Sequence, residues 1–169
     1  LSKSCIKELV AMLREHETAA LASPKIILKN GDILGSIDRP RPEYRRRTIG
    51  DTEYLETNFG RTFSTYKDAF LRVGGYDFIT FADRGEGVDL SCRYWRAGFP
   101  IVYSPKAIAY HHHDAPDSLT RVEDGNVRML VSLQKMETKY DISQETSPYF
   151  YKVMKSGQDF QDLRDEVRE

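Results

Sequence analysis

The residues able to do chemistry are concentrated in one stretch of the chain, between positions 58 and 113. A glycine-rich turn with the sequence Gly-Gly-Tyr-Asp at 74–77 is followed by Glu86, two residues before a predicted helix, and a histidine run at 111–113 follows a predicted strand. A carboxylate at a helix N-terminus is held ionised by the helix dipole and the free N–H groups, which suits proton abstraction. Neutral imidazole suits Mn²⁺ or a similar divalent ion. Each feature alone has low specificity, so the information lies in their order and spacing.

Helical periodicity predicts several of the elements that must hold these residues. Near the N-terminus, apolar side chains recur at i, i+3, i+4 and i+7 and predict an amphipathic helix with an apolar face of Ile6, Leu9, Val10 and Leu13. Glycines directly after apolar stretches predict where two further helices end. The two helices that end at glycines are predicted at 67–73, before Gly74-Gly75, and at 88–97, before Gly98. Two later helices are predicted at about 119–139 and from Ser147-Pro148 onwards. Leu90, Cys92 and Trp95 are expected to pack in the core.

Short apolar runs bounded by turn residues predict strands at 26–28, 59–66, 100–103 and 107–110. Pro24 should interrupt the chain before the first of them, and Ser104-Pro105 should separate the last two. Asn30-Gly31 predicts a hairpin-type turn that returns into Ile33-Leu34. From 35 to about 52 the pattern fails: residues 39–47 carry five arginines, one glutamate and two prolines. This segment is predicted to be a mobile basic surface loop. It is either simply solvated or it binds an anionic substrate.

Composition narrows the class of protein. The chain has 169 residues, enough for one ordinary domain, and 40% of them are hydrophobic, which excludes wholesale disorder. With 25 basic and 26 acidic side chains, the net charge of -1 argues against a nucleic-acid-coating protein. No apolar run approaches the roughly 20 residues of a membrane helix. Cys5 and Cys92 form neither a disulfide framework nor a zinc motif, and we expect two buried, reduced thiols.

The motifs, taken in order, are similar to a known family. The series Gly-Gly-Tyr-Asp, Gly-Glu-x-Val-Asp-Leu-x-x-Arg, Ala-Gly-x-x-Ile-x-Tyr-x-Pro-x-Ala and Tyr-His resembles the C-terminal half of GT-A-fold glycosyltransferases. It is most similar to family 2 and to the galactosyltransferase C-terminal and polypeptide N-acetylgalactosaminyltransferase segments. The resemblance is strong over 58–113 and loose over 2–28. It implies an α/β fold: the acceptor-side part of a nucleotide-diphospho-sugar transferase, with a short mixed sheet and flanking helices.

The resemblance implies a general base at the start of the helix, facing the acceptor hydroxyl. Glu86 matches the glutamate of the family, but the aspartate that usually follows it as the base is here Gly87. Either Glu86 or Asp83 has taken that role, or the enzyme uses no such base, as in retaining relatives, or the chain is a non-catalytic copy. Asp89 and Arg93, one helical turn apart, are predicted to form an i,i+4 pair rather than to act in catalysis.

The resemblance also implies a divalent metal, Mn or Mg, bridging the pyrophosphate of a sugar nucleotide. His111 matches the metal-binding histidine best and His113 second, since strand alternation places both on one face. The alternative is a histidine cluster that binds nothing. Acceptor binding is assigned to the glycine-rich turn and its aromatic neighbours, because aromatic rings match the apolar faces of pyranose rings. The candidate residues are Gly74, Gly75, Tyr76, Asp77 and Phe78, with an ordinary turn role as the alternative for Asp77.

The chain contains no Asp-x-Asp, the motif that grips metal and ribose in these enzymes, and it begins without methionine. The expectation is a fragment: residues 1–116 as the acceptor-side part and 117–169 as a helical extension, completed by an N-terminal donor-binding half. The fragment alone is expected to be inactive. The whole protein is expected to transfer a hexose or N-acetylhexosamine from a nucleotide-diphosphate sugar to a glycan acceptor, in bacterial polysaccharide biosynthesis. The implied location is cytoplasmic, with peripheral attachment at the inner face of the membrane as a variant.

Two other functions compete with this hypothesis. The first is a non-catalytic carbohydrate-binding or interaction module on the same fold, which Gly87 favours. The second is an unrelated metal hydrolase that uses His111, His113, Asp114 and Asp117. Because these four residues are so close together in the sequence, such a site needs further ligands from elsewhere in the chain.

Overall fold

A mixed five-stranded β-sheet lies at the centre of the part of the protein that the computed structural model describes. That part comprises residues 1–31, 33, 46–49, 51–55, 62–81, 85–111, 135 and 138–140. Its helices are α1 (Cys5–Glu15), α2 (Lys67–Arg72) and α3 (Glu86–Arg96), and its strands are β1 (Leu21–Leu28), β2 (Arg46–Ile49), β3 (Thr52–Leu55), β4 (Ser64–Thr65) and β5 (Ile101–His111). The strand order is β2-β3-β5-β1-β4. The short mixed sheet with flanking helices is the predicted architecture.

The two long central strands are parallel. β1 pairs with β5 from Leu21 opposite Ile101 to Leu28 opposite His111, with a register shift immediately after Pro24. The predictions that Pro24 interrupts the chain and that Ser104-Pro105 separates two strands are therefore wrong, because both prolines lie inside strands. Proline cannot donate to the strand ladder, so it is tolerated where the pairing is irregular. The shift between the two strands supplies that position.

The predicted helix α1 is confirmed, and it packs on the central strands with a face that includes only half of the predicted one. The buried residues are Cys5, Leu9 and Leu13, whereas Ile6 is 63% exposed and Val10 is 36% exposed. The backbone N–H of Ser2 donates to the carbonyl oxygen of Ile108 at 2.8 Å, which ties the start of α1 to β5. The apolar side chains of α1 span a wider arc than the sheet can cover, so only one side of that arc is buried.

The basic segment contains more regular structure than predicted. Residues 46–49 form β2, which pairs antiparallel with β3, and β3 joins the sheet through Tyr54 opposite Val102. The prediction of a loop across 35–52 is thus wrong for its last part, while 34–45 lies outside the described residues. Strand pairing with β3 supplies the order that the local pattern does not.

The remaining strand predictions are partly confirmed. The Asn30-Gly31 turn returns into an isolated antiparallel bridge between Ile27 and Ile33, as expected, with Gly31 at φ +86°. β4 covers Ser64–Thr65 within the predicted strand 59–66, of which 59–61 lie outside the described residues. Both the 119–139 helix and the helix from 147 fall mostly or wholly outside them, although Lys135 and 138–140 have helical backbone.

Glycines end the helices where the sequence places them. α2 ends at Arg72, and Gly74 and Gly75 follow with φ of +83° and +63°, in the left-handed region. α3 ends at Arg96, and Gly98 has φ +69°. A side chain at Gly75 would also place its Cβ 3.2 Å from Cε1 of Phe70. This turn delivers the chain from α2 into the loop that precedes α3.

The Gly74-Gly75 pair provides a test of this turn. We expect Gly74→Ala to lower the free energy of unfolding by about 1 kcal/mol, the cost of the left-handed conformation. Gly75→Ala should cost about 2 kcal/mol, because its Cβ also meets the Phe70 ring. Urea denaturation measures both values. Equal losses for the two variants would show that the contact with Phe70 does not matter.

The core and the cysteines behave as predicted. Leu90, Cys92 and Trp95 are buried on α3, and Trp95 donates its indole N–H to the carbonyl oxygen of Leu55 at 3.2 Å. Cys5 and Cys92 are both free and buried. Burial raises the pKa of the Cys5 thiol, although the charged N-terminus partly opposes this, so the thiol is kept from its reactive form. Among the described helices, none is long and apolar enough to cross a membrane.

Candidate functional site

The glycine-rich turn continues into a loop closed by its own aspartate. The Asp77 carboxylate accepts a hydrogen bond from the backbone N–H of Thr80 at 2.9 Å. The N–H of Phe81 donates to the carbonyl oxygen of Asp77 at 3.0 Å. Phe81 itself is buried and anchors the end of the loop. Asp77 therefore has the turn role that the sequence left open, and this role determines the shape of the loop at residues 76–81, named here the Asp77 loop.

The aromatic residues of this loop have different exposures. The ring of Tyr76 is half-buried among Phe63, Phe70 and Phe78, at centroid distances of 6.3, 5.8 and 5.3 Å. Phe78 is 63% exposed and the neighbouring Ile79 is 97% exposed. Of the two aromatic residues predicted to stack on a sugar, Phe78 therefore has the accessible ring, whereas the half-buried Tyr76 packs against Phe78.

Glu86 lies at the N-terminus of α3, which begins two residues earlier than predicted. Gly85 precedes it with φ +90°, and no side chain caps the helix there. Burial raises the pKa of the Tyr76 hydroxyl, and the charges of Glu86 and Tyr94 raise it further. Free N–H groups at the helix end stabilise a carboxylate in this position. Asp83, the other candidate base, lies outside the described residues.

The residue after Glu86 is buried. Gly87 lies in the first turn of α3, and its carbonyl oxygen accepts a hydrogen bond from the Ser91 hydroxyl at 2.7 Å. The position at which the family usually carries its base thus faces the interior of the described structure.

Asp89 is a fully buried carboxylate with three side-chain partners. Its Oδ2 accepts from Arg93 Nε at 3.0 Å and from the Arg93 terminal nitrogen at 2.6 Å, which confirms the predicted i,i+4 pair. Its Oδ1 accepts from Lys139 Nζ at 2.7 Å and from the Tyr140 hydroxyl. Lys139 and Tyr140 were missed by sequence reasoning, since no local signal connects residues that are 50 positions apart.

Lys139 joins Asp89 to the Asp77 loop. Its Nζ also lies 2.9 Å from Asp77 Oδ2, and it lies over the Phe81 ring at 5.2 Å from the centroid. Burial acts to lower the pKa of Lys139, but hydrogen bonds to Asp89 and Asp77 outweigh it and raise the pKa overall. The Thr80 N–H and then the Lys139 ammonium hold the pKa of Asp77 well below its usual range. The two groups therefore stabilise each other in their charged forms.

These pKa shifts predict how stability depends on pH. Because the folded pKa of Asp77 lies below its unfolded value of about 3.9, its contribution is present above pH ~4 and is lost as the pH falls further. Asp77→Asn should therefore destabilise the protein near pH 7, and the difference from wild type should shrink below pH ~4. Urea denaturation at pH 3.5 and pH 7 measures this, with Asp51→Asn in an exposed turn as the control. An equal difference at both pH values would contradict the assignment.

His111 ends β5, opposite Leu28 of β1, and is half-buried. It thus lies at the carboxyl end of the parallel central pair, the end at which ligands bind in open α/β sheets. His113 lies outside the described residues, as do Asp114 and Asp117 of the alternative hydrolase set. Within the described ranges, no group of three or more His, Cys, Asp or Glu side chains is arranged to hold a metal ion. Of the two predicted metal ligands, His111 is the one that lies among the described residues.

A shallow groove lies on another part of the surface, between α1, the β2–β3 turn and β5. Its volume is about 390 Å³, and acidic residues on its walls include Glu8, Glu15 and Asp51. None of the predicted site residues within the described ranges lines this groove, so we take the Asp77 loop with the start of α3 as the candidate site.

Comparison with known proteins supports the fold. No protein-family model matches the sequence, and no curated protein matches it. Among solved structures, the chain is similar to the crystal structure of GalNAc-T7 with UDP, GalNAc and Mn²⁺, with a TM-score of 0.54 and 16% sequence identity. The fold is of the glycosyltransferase GT-A type. The match covers 95% of this chain and 34% of that one, so the chain spans about a third of the length of the solved structure.

Proposed function

We propose that the chain is the acceptor-side, C-terminal part of a nucleotide-sugar-dependent glycosyltransferase of the family 2 or galactosyltransferase C-terminal type. The observation that supports it most is the fold similarity to GalNAc-T7, which extends over 95% of this chain but only a third of that protein. The motif order between 58 and 113 agrees with it. In this proposal a separate N-terminal half binds the donor, and the whole protein transfers a hexose or N-acetylhexosamine to a glycan.

In the proposed reaction, Glu86 accepts the proton of the acceptor hydroxyl. The carboxylate lies at the N-terminus of α3, and its charge contributes to the raised pKa of Tyr76. The exposed face of Phe78 packs against the apolar face of the acceptor sugar and orients it. Asp77 contributes by closing the loop that carries Phe78, and Gly74 and Gly75 by turning the chain into that loop. Asp83 is the other candidate for the base.

His111, with His113, is the proposed histidine contribution to a divalent metal site. A bound Mn²⁺ or Mg²⁺ offsets the charge that develops on a leaving diphosphate. α3 leads into β5 through a four-residue connection, and we infer that Glu86 lies toward the same end of the fold as His111.

The remaining parts of the proposal concern organisation and location. Residues 1–116 form the acceptor-side part, and 117–169 form an extension whose Lys139 and Tyr140 pack on α3. We place the enzyme in the cytoplasm, working on bacterial cell-surface polysaccharide, with attachment to the inner face of the membrane as the variant.

One observation favours a second function. Gly87 stands where the family usually carries its catalytic aspartate, and a chain without that base could bind a glycan without transferring sugar. The competing proposal is therefore a non-catalytic carbohydrate-binding module on the same fold.

A donor assay separates these two proposals. The protein expressed from its complete gene is incubated with Mn²⁺ and a panel of UDP-galactose, UDP-N-acetylgalactosamine, UDP-glucose and UDP-N-acetylglucosamine, and release of UDP is measured with and without glycan acceptors. Glycan-dependent release supports the transferase, and glycan binding without any release supports the module.

Calorimetry on the isolated 169-residue chain tests the division of the fold. We expect no measurable binding of the same UDP-sugars with Mn²⁺, because the donor site belongs to the other half. Micromolar binding by the isolated chain would contradict the proposed split.

A further inference from the structure

A lysine far along the chain connects the two parts of the candidate site. Lys139 Nζ lies 2.9 Å from Asp77 Oδ2 and 2.7 Å from Asp89 Oδ1. Asp77 closes the loop that presents Phe78, and Asp89 follows Glu86 by three residues on α3. One ammonium group therefore spans the loop proposed to bind the acceptor and the helix proposed to carry the base.

The Asp77 loop is held at further points by the same segment. Lys135 Nζ donates to the carbonyl oxygen of Thr80 at 2.8 Å. Lys135 and Lys139 both have helical backbone and are four residues apart, so they lie on one face. The Phe81 ring packs beneath Lys139 at 5.2 Å from the ring centroid. Between these anchors Phe78 and Ile79 extend toward solvent.

The bridge has an electrostatic consequence. Two carboxylates, from Asp77 and Asp89, approach the same ammonium within 3 Å and therefore lie close to each other. Without the positive charge between them they repel. The Asp77 carboxylate is 25% exposed and bound by the Thr80 N–H of its own loop, whereas Asp89 is fully buried and also bound by Arg93 and Tyr140, so Asp77 is the one that moves. Loss of the charge at 139 thus displaces the loop rather than the helix.

We propose that Lys139 is a positioning residue for the acceptor: by holding Asp77 to Asp89, it sets the position of Phe78 relative to Glu86. This inference rests on the proposed function. The substrate it serves is a sugar whose apolar face packs on Phe78 while a hydroxyl points at the Glu86 carboxylate. Such a residue acts on acceptor binding, because small displacements of a binding group weaken productive alignment.

The kinetic test uses the protein from its complete gene. Lys139→Met keeps the length of the side chain and removes its charge, Lys139→Arg keeps the charge, and Lys7→Met on the exposed face of α1 is the matched control. We expect Lys139→Met to raise the KM for the acceptor about tenfold, with kcat within about twofold and the donor KM unchanged. Lys139→Arg should recover most of the loss, and Lys7→Met should match wild type.

Hydrogen–deuterium exchange supplies a readout that needs no activity. In Lys139→Met the amides of Thr80 and Phe81 should exchange faster, while those of β1 and β5 stay as in wild type. Faster exchange in the central strands as well would show a merely structural role and overturn the inference.

The outcomes distinguish this inference from the function on which it rests. If wild type transfers sugar and Lys139→Met keeps its acceptor KM, the positioning role is wrong and the function stands. If wild type transfers no sugar to any acceptor, the proposed function and this inference fall together. A raised acceptor KM with exchange changed in the loop and unchanged in the strands supports both.

Discussion

Asp89→Ala is expected to destabilise the protein by about 3–5 kcal/mol, the range for breaking a buried ion pair by removing one partner. Asp89 is 0% exposed and accepts hydrogen bonds from Arg93, Lys139 and Tyr140. Its removal leaves two positive charges and a hydroxyl facing a cavity at the first turn of α3. Since a domain is stable by only about 5–15 kcal/mol, urea denaturation should show a large shift of the midpoint.

A matched control separates burial from helix position. Asp68 occupies the first turn of α2 as Asp89 does that of α3, but Asp68 is exposed. Asp68→Ala should cost less than about 1 kcal/mol, the value of an exposed charge at a helix N-terminus. If Asp89→Ala costs no more than Asp68→Ala, the buried carboxylate does not hold Lys139 and Tyr140 to α3.

Glu86→Gln is expected to lower the rate of sugar transfer about 10²–10⁴-fold, the usual contribution of a general base. Glutamine keeps the shape of the side chain at the start of α3 but cannot accept the proton. The acceptor KM should change little, because the loop carrying Phe78 is held by Asp77 and Lys139 rather than by Glu86. Product formation by the protein from its complete gene, with Mn²⁺ and saturating donor, measures the effect.

Two controls make this result specific. Asp68→Asn removes an acidic charge from the first turn of another helix and should leave transfer unchanged. Unfolding of Glu86→Gln in urea should stay within about 1 kcal/mol of wild type, since a charge at a helix N-terminus typically contributes about 0.3–1 kcal/mol. Transfer at the wild-type rate by Glu86→Gln would remove Glu86 as the base and leave Asp83, or a mechanism without a base.

Local features of the sequence were enough to predict the helices near the site. The end of α2 follows from Gly74-Gly75 and the end of α3 from Gly98, because glycine adopts the left-handed conformation without steric cost. The Asp89–Arg93 pair follows from a four-residue spacing on one helix. Each of these predictions depends on residues within one or two helical turns, and each is confirmed.

Interactions between distant segments decided what the local pattern could not. β2 forms within a segment of arginines and prolines because β3 is available to pair with it, and β3 in turn pairs with β5. Pro24 lies inside β1 because the partner strand shifts register there. Which side of α1 is buried depends on the sheet it covers, since the apolar arc offers more than one choice.

The sequence by itself determined the turn at Gly74-Gly75 from neighbouring residues and the fold class from the order of its motifs, whereas α3 begins at Glu86, two residues before the predicted start. Only the tertiary structure decided that Phe78 is exposed while Tyr76 is half-buried, and that Lys139 joins Asp77 to Asp89. Lys139 is 62 positions from Asp77 and 50 from Asp89, and no periodicity extends over such distances. Their contact exists because the chain folds back on α3, where a buried carboxylate must find cationic partners.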